Sequence, residues 1–223
     1  MFEPIMPYVP QLAVGLWVTL KVAGGSFLLA LVLALLALPL TTSKSRILRK
    51  LVGLYVAVIR GVPELIVIFT IFYGGTVVLT WLLGSYFEVS ALTAGIVALA
   101  AVNLAYLIEI LRAALQAIPD GQREAAKVLG LSKVQTFTAV LLPQLMQRAL
   151  PGIGNQWLIS LKESALVSVV GLEELMRKTV VAAGATHEPL AFYLVAALIY
   201  IAITAVSTAV FGYGQRKLTP MSR

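Results

Sequence analysis

Hydrophobic residues in this chain fall into five long blocks separated by short polar segments. Read along the sequence, the blocks predict membrane-crossing segments at 12–40, 52–83, 90–112, 146–171 and 189–212. A helix rising 1.5 Å per residue needs roughly 20 apolar residues to cross a hydrocarbon core of about 30 Å, and each block supplies that length. Between the third and fourth blocks the pattern changes. Asp120-Gly121 opens a turn, Glu124-Ala125-Ala126-Lys127-Val128 forms a short helix, and Gly130 permits a sharp corner. Ser132 then caps a second short helix, and Pro143 follows it. The pattern predicts an all-α membrane protein with five transmembrane helices and two small helices projecting into water.

Composition agrees, with 60% of the 223 residues apolar. The net charge of +7 would suggest nucleic acid in a soluble protein, but here the basic residues sort by side of the membrane. Lys44, Arg46, Arg49 and Lys50 crowd the first loop, Arg123, Lys127, Lys133 and Arg148 the third, and Arg216, Lys217 and Arg223 the tail. Alternate loops are therefore cytoplasmic, with the N-terminus outside (periplasmic) and the C-terminus inside, and no nucleic acid partner is expected. The opposite face carries Glu3, Glu88, Glu173, Glu174 and Glu188 against Arg177, Lys178 and His187. The absence of Cys excludes disulfides and thiolate metal sites, and His187 has no second His at ligand spacing, so no metal site is expected. The opening residues lack a charged n-region, so no cleavable signal is expected. Without repeats or long loops, residues 1–223 read as a single transmembrane domain, with a cytoplasmic loop at about 113–145.

Ionisable groups at membrane depth cost several kcal/mol unless they face protein or water, so those inside the blocks are informative. Arg60-Gly61-Val62-Pro63-Glu64 lies about ten residues past Lys50, around 15 Å into the bilayer if helical. Gly and Pro should break the second span there, leaving Arg60 at the C-terminal end of one half-helix and Glu64 at the N-terminal end of the next. Each charge then complements a local dipole and the two can pair, or they contact a substrate. In the fourth span, at 100° per residue, Ser160, Glu163, Ser164, Val167 and Ser168 share one face, a polar stripe that must look into a bundle or a pathway. Close helix packing alone would explain Ser164 and Ser168, but not Glu163. Lys162 points away from the stripe. In the third span Glu109 and Arg112 form an intrahelical pair. Asn103 and Tyr106, deeper on roughly the same side, can hydrogen-bond a polar ligand. Gly24-Gly25-Ser26 permits close helix packing.

Taken together, Arg60-Gly-Val-Pro-Glu64, Glu109-Ile-Leu-Arg112, the Glu124-Ala-Ala loop with Gly130 and Leu142-Pro143, Leu150-Pro-Gly-Ile-Gly-Asn155 and Leu161-Lys-Glu-Ser-Ala-Leu-Val-Ser168 resemble a known family. From about 12 to 217 the chain is similar to the Q-type permease subunits of polar and basic amino acid ABC importers, those for histidine, lysine, arginine, ornithine or opines. Val140 stands where the family commonly has Ile, and Ala113 where it usually has Gly. The resemblance implies a type I ABC importer permease fold in the bacterial inner membrane, translocating a polar, basic amino acid by alternating access. It implies substrate contacts from Arg60, Glu64, Asn103, Tyr106, Glu163, Ser164 and Ser168, and ATPase coupling through Glu124, Ala125, Ala126 and Gly130.

The implied partners are two copies of an ATP-binding subunit, a second permease subunit, homologous or identical, and a periplasmic or lipid-anchored amino acid binding protein, besides the amino acid and membrane lipid. No cofactor is expected on this chain. ATP and Mg belong to the partner ATPase, since the sequence has no GxxxxGK[ST] motif, and no catalytic residue is expected. A permease for a neutral polar amino acid or an opine is the nearest alternative. An ion-coupled secondary transporter also places charges at a broken helix, but has no need of a docking loop with this spacing. A membrane-embedded hydrolase would need a nucleophile and base that are not supplied.

Overall fold

A computed structural model describes residues 3–218, so Arg223 lies outside the described residues. Within them the chain is helical and contains no strand. A 3-10 turn over Glu3–Tyr8 leads into α1 (Val9–Thr41), followed by α2 (Arg46–Gly61), α3 (Glu64–Leu83) and α4 (Ala91–Gln116). Two small helices, α5 (Asp120–Val128) and α6 (Lys133–Gln135), precede α7 (Leu142–Glu163), α8 (Leu175–Thr186) and α9 (Pro189–Leu218). Among the described residues, four helical stretches are long and apolar enough to cross a membrane, Pro4–Thr41, Glu64–Leu83, Ala91–Gln116 and Pro189–Lys217. The block at 146–171 is absent from that set. It is divided between α7, which carries Arg148, Lys162 and Glu163, and a seven-residue 3-10 run over Ser164–Val170.

The core forms along α1 and α4. Ala23, Phe27, Ala30, Ala34 and Leu38 recur on one face of α1 with helical spacing and are buried. Alanines let the helix axes approach, which compensates for the missing hydrophobic driving force between helices in lipid. Leu107, Ile108 and Leu111 of α4 and Leu145, Ala149 and Ile153 of α7 complete the same cluster. The Pro-Gly-Ile-Gly segment lets α7 fit between its neighbours. A Cβ on Gly152 would meet Ile110 Cγ2 of α4 at 2.8 Å, and one on Gly154 would meet Phe211 Cδ1 of α9 at 3.0 Å. Of the Gly24-Gly25 pair, only Gly25 serves as a close contact, with Ile96 Cδ1 3.2 Å from where its Cβ would be.

The polar loop follows the sequence logic with two differences. Gly130 adopts a left-handed φ of +73°. Leu131 N–H donates to the Ala126 carbonyl and Gly130 N–H to the Lys127 carbonyl, each at 3.0 Å, which closes α5 with a Schellman motif. Ser132 and Gln135 exchange hydrogen bonds in a capping box that starts α6. The turn before α5, however, lies at 117–119, and Asp120 falls in the first helical turn, where a carboxylate complements the dipole. Pro143 does not end the second helix either. A π-helical turn over Thr136–Leu141 carries α6 directly into α7, with Leu142 N–H donating five residues back to Phe137. The wider turn makes room for a proline that cannot donate and would crowd the carbonyl four residues earlier.

At the other end of the bundle, Glu174 is fully buried although the sequence placed it in a charged loop. It caps α8, accepting from Met176 N–H at 2.9 Å and Arg177 N–H at 2.8 Å. It also accepts from Thr19 Oγ1 of α1 at 3.2 Å and Tyr200 of α9 at 3.4 Å. Thr19 in turn accepts from Leu175 N–H at 3.1 Å. One turn earlier on α1, a Cβ on Gly15 would lie 2.9 Å from Leu175 Cα, so only glycine admits α8 this closely. Burial pushes the Glu174 carboxyl above its ordinary range, opposed by the bonds from Met176, Arg177, Thr19 and Tyr200. With a raised folded-state value the native protein binds the extra proton. The stabilisation is therefore complete below the ordinary carboxylate range and is lost as pH rises through the raised value. Thermal melts from pH 7 to pH 4 should show the wild type gaining stability on acidification relative to Glu174→Gln, measured as the difference between their midpoints.

Candidate functional site

The break between α2 and α3 is made by Val62 (φ −109°, ψ 136°) and Pro63 (φ −55°, ψ 136°), both extended. Proline removes one N–H and disfavours helix at the residue before it, which is why the chain opens here. Arg60 lies in the last turn of α2 and Glu64 in the first turn of α3, so each charge complements the helix end it sits on. They do not pair with each other. No ion pair joins them among the described residues, and the Arg60 guanidinium lies instead over the Tyr106 ring of α4, 5.2 Å from its centroid. A cation over an aromatic face gains roughly 0.5–2 kcal/mol depending on desolvation, and the guanidinium keeps its N–H groups free at the edges. Arg60 is exposed, and Glu64 and Tyr106 are half-buried.

Glu163 is the second charged element. It ends α7, and its Oε2 is buried without a hydrogen-bond partner. A buried oxygen left unsatisfied carries a desolvation cost that a ligand donor would relieve. Ile68, one turn after Glu64 on α3, and Val167 of the 3-10 run that follows Glu163 belong to the same buried cluster, so the two segments pack together. Lys162 itself is exposed, on a cleft between α7 and α9 walled by Tyr200, Thr204 and Thr208.

The expected polar stripe is not continuous. Helix type changes at Ser164, and in a 3-10 run residues three apart eclipse. Ser164, Val167 and Val170 are accordingly buried together, while Ser168 turns to a different, half-buried face. Ser164 donates to the Leu161 carbonyl at 2.6 Å. A Cβ on Gly95 of α4 would meet Val167 Cγ1 at 2.5 Å, so this crossing is closed by glycine. Asn103 is committed to partners within the protein. It is fully buried, and its Nδ2 donates to the Leu99 carbonyl and to Ser160 Oγ, each at 2.9 Å. Its Oδ1 accepts from Gln156 at 2.9 Å. With its amide committed to protein, Asn103 clamps α4 to α7. Gln156 completes that clamp and carried no signal in the sequence, where it reads as one polar residue in a mixed segment. Glu109 and Arg112 form the expected pair, with contacts of 2.5 and 3.1 Å.

The coupling residues expected from the sequence lie on α5 and its corner. Glu124 and Ala125 are exposed, whereas Ala126 is buried and anchors the helix. Val128, Leu129 and Val134 present apolar side chains that are 88%, 76% and 71% exposed. Apolar groups this exposed, rimmed by polar residues on a water-facing loop, mark a protein contact surface.

Residues 26–220 match the family described as binding-protein-dependent transport system inner membrane component. The chain is 42% identical over 200 residues to the arginine ABC transporter permease protein ArtQ of Haemophilus influenzae, covering 90% of this chain and 88% of that one. It is 37% identical over 207 residues to the histidine/lysine/arginine/ornithine transport system permease protein HisQ of Escherichia coli, covering 91% of each. Among solved structures it resembles a chain from the crystal structure of an amino acid ABC transporter with histidines. The TM-score there is 0.85 at 31% identity, over 97% of this chain and 98% of that one.

If the ring face of Tyr106 holds Arg60, Tyr106→Phe should keep transport within about two-fold of wild type, because the face is retained. Tyr106→Leu should fall toward the level of Arg60→Gln. Initial rates in vesicles with equal amounts of assembled protein check this.

Proposed function

The chain belongs to the family of binding-protein-dependent transport system inner membrane components and is an inner-membrane permease of an amino acid ABC importer, and we propose that its substrate is a basic amino acid such as arginine, histidine, lysine or ornithine. The observation that carries the reading is the unpartnered, buried Glu163 Oε2 beside a broken helix with Arg60 and Glu64 at its two ends. A basic amino acid presents one carboxylate and two cationic groups, and each must find a partner when dehydrated. Arg60 receives the carboxylate. Glu64 and Glu163 receive the two cationic groups, with Tyr106, Ser164 and Ser168 at the margin. Asn103 acts one layer behind them, fixing α4 against α7. ArtQ and HisQ are named for basic amino acids, which supports the same substrate class here.

In this reading residues 1–223 form one permease domain with five membrane crossings, the interrupted α2–α3 pair counting as one and α7 with its 3-10 extension as another. The N-terminus is outside and the C-terminus inside, so the loop at 113–145 meets the cytoplasm. Two ATP-binding subunits, carrying ATP and Mg, engage the loops of this chain and of a second permease through Glu124, Ala125 and Gly130 and the apolar tip around Leu129. An outer binding protein delivers the amino acid. Movement of the loop is passed to α7 through the continuous π turn and to α4 through the turn at 117–119. Those two helices carry Glu163 and Tyr106, so the site opens alternately to each face.

Loss of one charge-assisted contact to a dehydrated substrate costs about 1.5–3 kcal/mol, or roughly 10–100-fold. ATP-driven uptake of labelled arginine should therefore fall at least about ten-fold in Glu64→Leu and in Glu163→Gln with assembly unchanged. Uptake equal to wild type in both would overturn the substrate assignment.

A further inference from the structure

Where α1 and α4 end, the coupling segment folds back on them and encloses a cleft of about 750 Å³, a size in the range of small-molecule sites. Its floor is apolar, formed by Leu38 and Pro39 of α1, Leu115 of α4, and Phe137 and Leu141 of the π turn. Two cations, Arg123 and Lys133, line it, and no carboxylate does. Arg123 has one ion pair, a 3.6 Å contact with Asp120, whose side chain is 85% exposed. Lys133 has none among the described residues. Pairing of this kind at the surface is weak and leaves both cations available.

The depth of the cleft selects its occupant. A helix of 33 residues is about 50 Å long, some 20 Å more than a hydrocarbon core, and Lys44, Arg46, Arg49 and Lys50 follow α1 at once, which sets its last turn at the headgroup layer. At that level an apolar floor meets acyl chains and a basic rim meets phosphate. A small soluble anion would leave the floor exposed to water, and a neutral lipid would leave the two cations without a net counter-charge. An anionic phospholipid satisfies both.

We propose that this cleft binds one anionic phospholipid per chain, with its phosphate on Arg123 and Lys133 and an acyl chain on the Leu38, Leu115 and Phe137 floor. The bound lipid braces the coupling segment against α1 and α4. It ties the ATP-driven loop to the composition of the membrane, independently of which amino acid is carried.

The test uses the assembled transporter in nanodiscs of phosphatidylcholine with stepwise additions of phosphatidylglycerol. Retained lipid is read by native mass spectrometry, and ATPase rate and subunit content are followed in the same preparations. Two variants attack the cleft from different sides: Arg123→Gln with Lys133→Gln removes the cations, and Thr42→Trp fills the mouth from α1, away from the loop. Wild type should retain one phosphatidylglycerol per chain, and both variants should retain at least about ten-fold less with the ATPase subunit still bound. ATPase rate should rise with phosphatidylglycerol in wild type and be flat in the variants. Equal retention in wild type and variants, or retention of phosphatidylcholine as readily as phosphatidylglycerol, would overturn the proposal. Arginine uptake is read separately, so failure of the lipid site leaves the transport reading to stand or fall by itself.

Discussion

A hydrocarbon interior leaves no water to satisfy a free backbone group or a charge, and each one left there costs several kcal/mol. Most of this structure is arranged around that constraint. Where the helices are intact their backbones satisfy themselves, and side chains only need to pack, which the alanine face of α1 and the glycines of α4 and α7 do closely. Where a helix is broken, something must answer the freed groups. At Val62-Pro63 Arg60 and Glu64 complement the dipoles of the two helix ends without bonding the freed groups directly. At the α8 N-terminus the answer is Glu174, with Thr19 and Tyr200 brought in from two other helices. Glu163 differs in that its Oε2 is buried and has no hydrogen-bond partner among the described residues. That unanswered oxygen, close to the break, is the reason the proposed substrate site is centred on it.

The same helices connect the polar loop to Glu163. α7 is joined to the coupling segment without a loop, through a π turn that absorbs Pro143, and at its far end it changes to 3-10 geometry immediately after Glu163. A push on α6 therefore reaches the carboxylate through a single continuous helix. The Asn103–Ser160–Gln156 clamp ties α4 to α7 just before that carboxylate, so the helices carrying Tyr106 and Glu163 are held together. At the opposite end of the bundle Glu174 caps α8, and Gly15 of α1 lets α8 approach closely.

Much of this was legible in the sequence because it rests on local chemistry. The break at Val62-Pro63, the corner at Gly130, the cap at Ser132 and the pair Glu109–Arg112 each follow from residues within one turn of one another. What was not legible depends on contacts between distant segments. Ser164-Ala-Leu-Val-Ser168 has an ordinary helical pattern, and its 3-10 geometry goes with the close approach of Val167 to Gly95, some seventy positions earlier. Glu174 looks like one more charge in an outer loop, and its burial needs Gly15 and Thr19 from the start of the chain. Pro143 reads as a terminator by propensity, and only the wider π turn shows how a helix continues through it. Asn103 reads as a polar group available to a ligand until its three partners are known.

The most direct test of the central claim is a structure of the assembled importer trapped with arginine in the membrane. Ligand density is expected between Glu64 and Glu163, with the amino acid carboxylate toward Arg60 and the Glu163 Oε2 receiving a hydrogen bond from the ligand. Density elsewhere in the permease, with Glu163 Oε2 paired instead to protein or water, would contradict it.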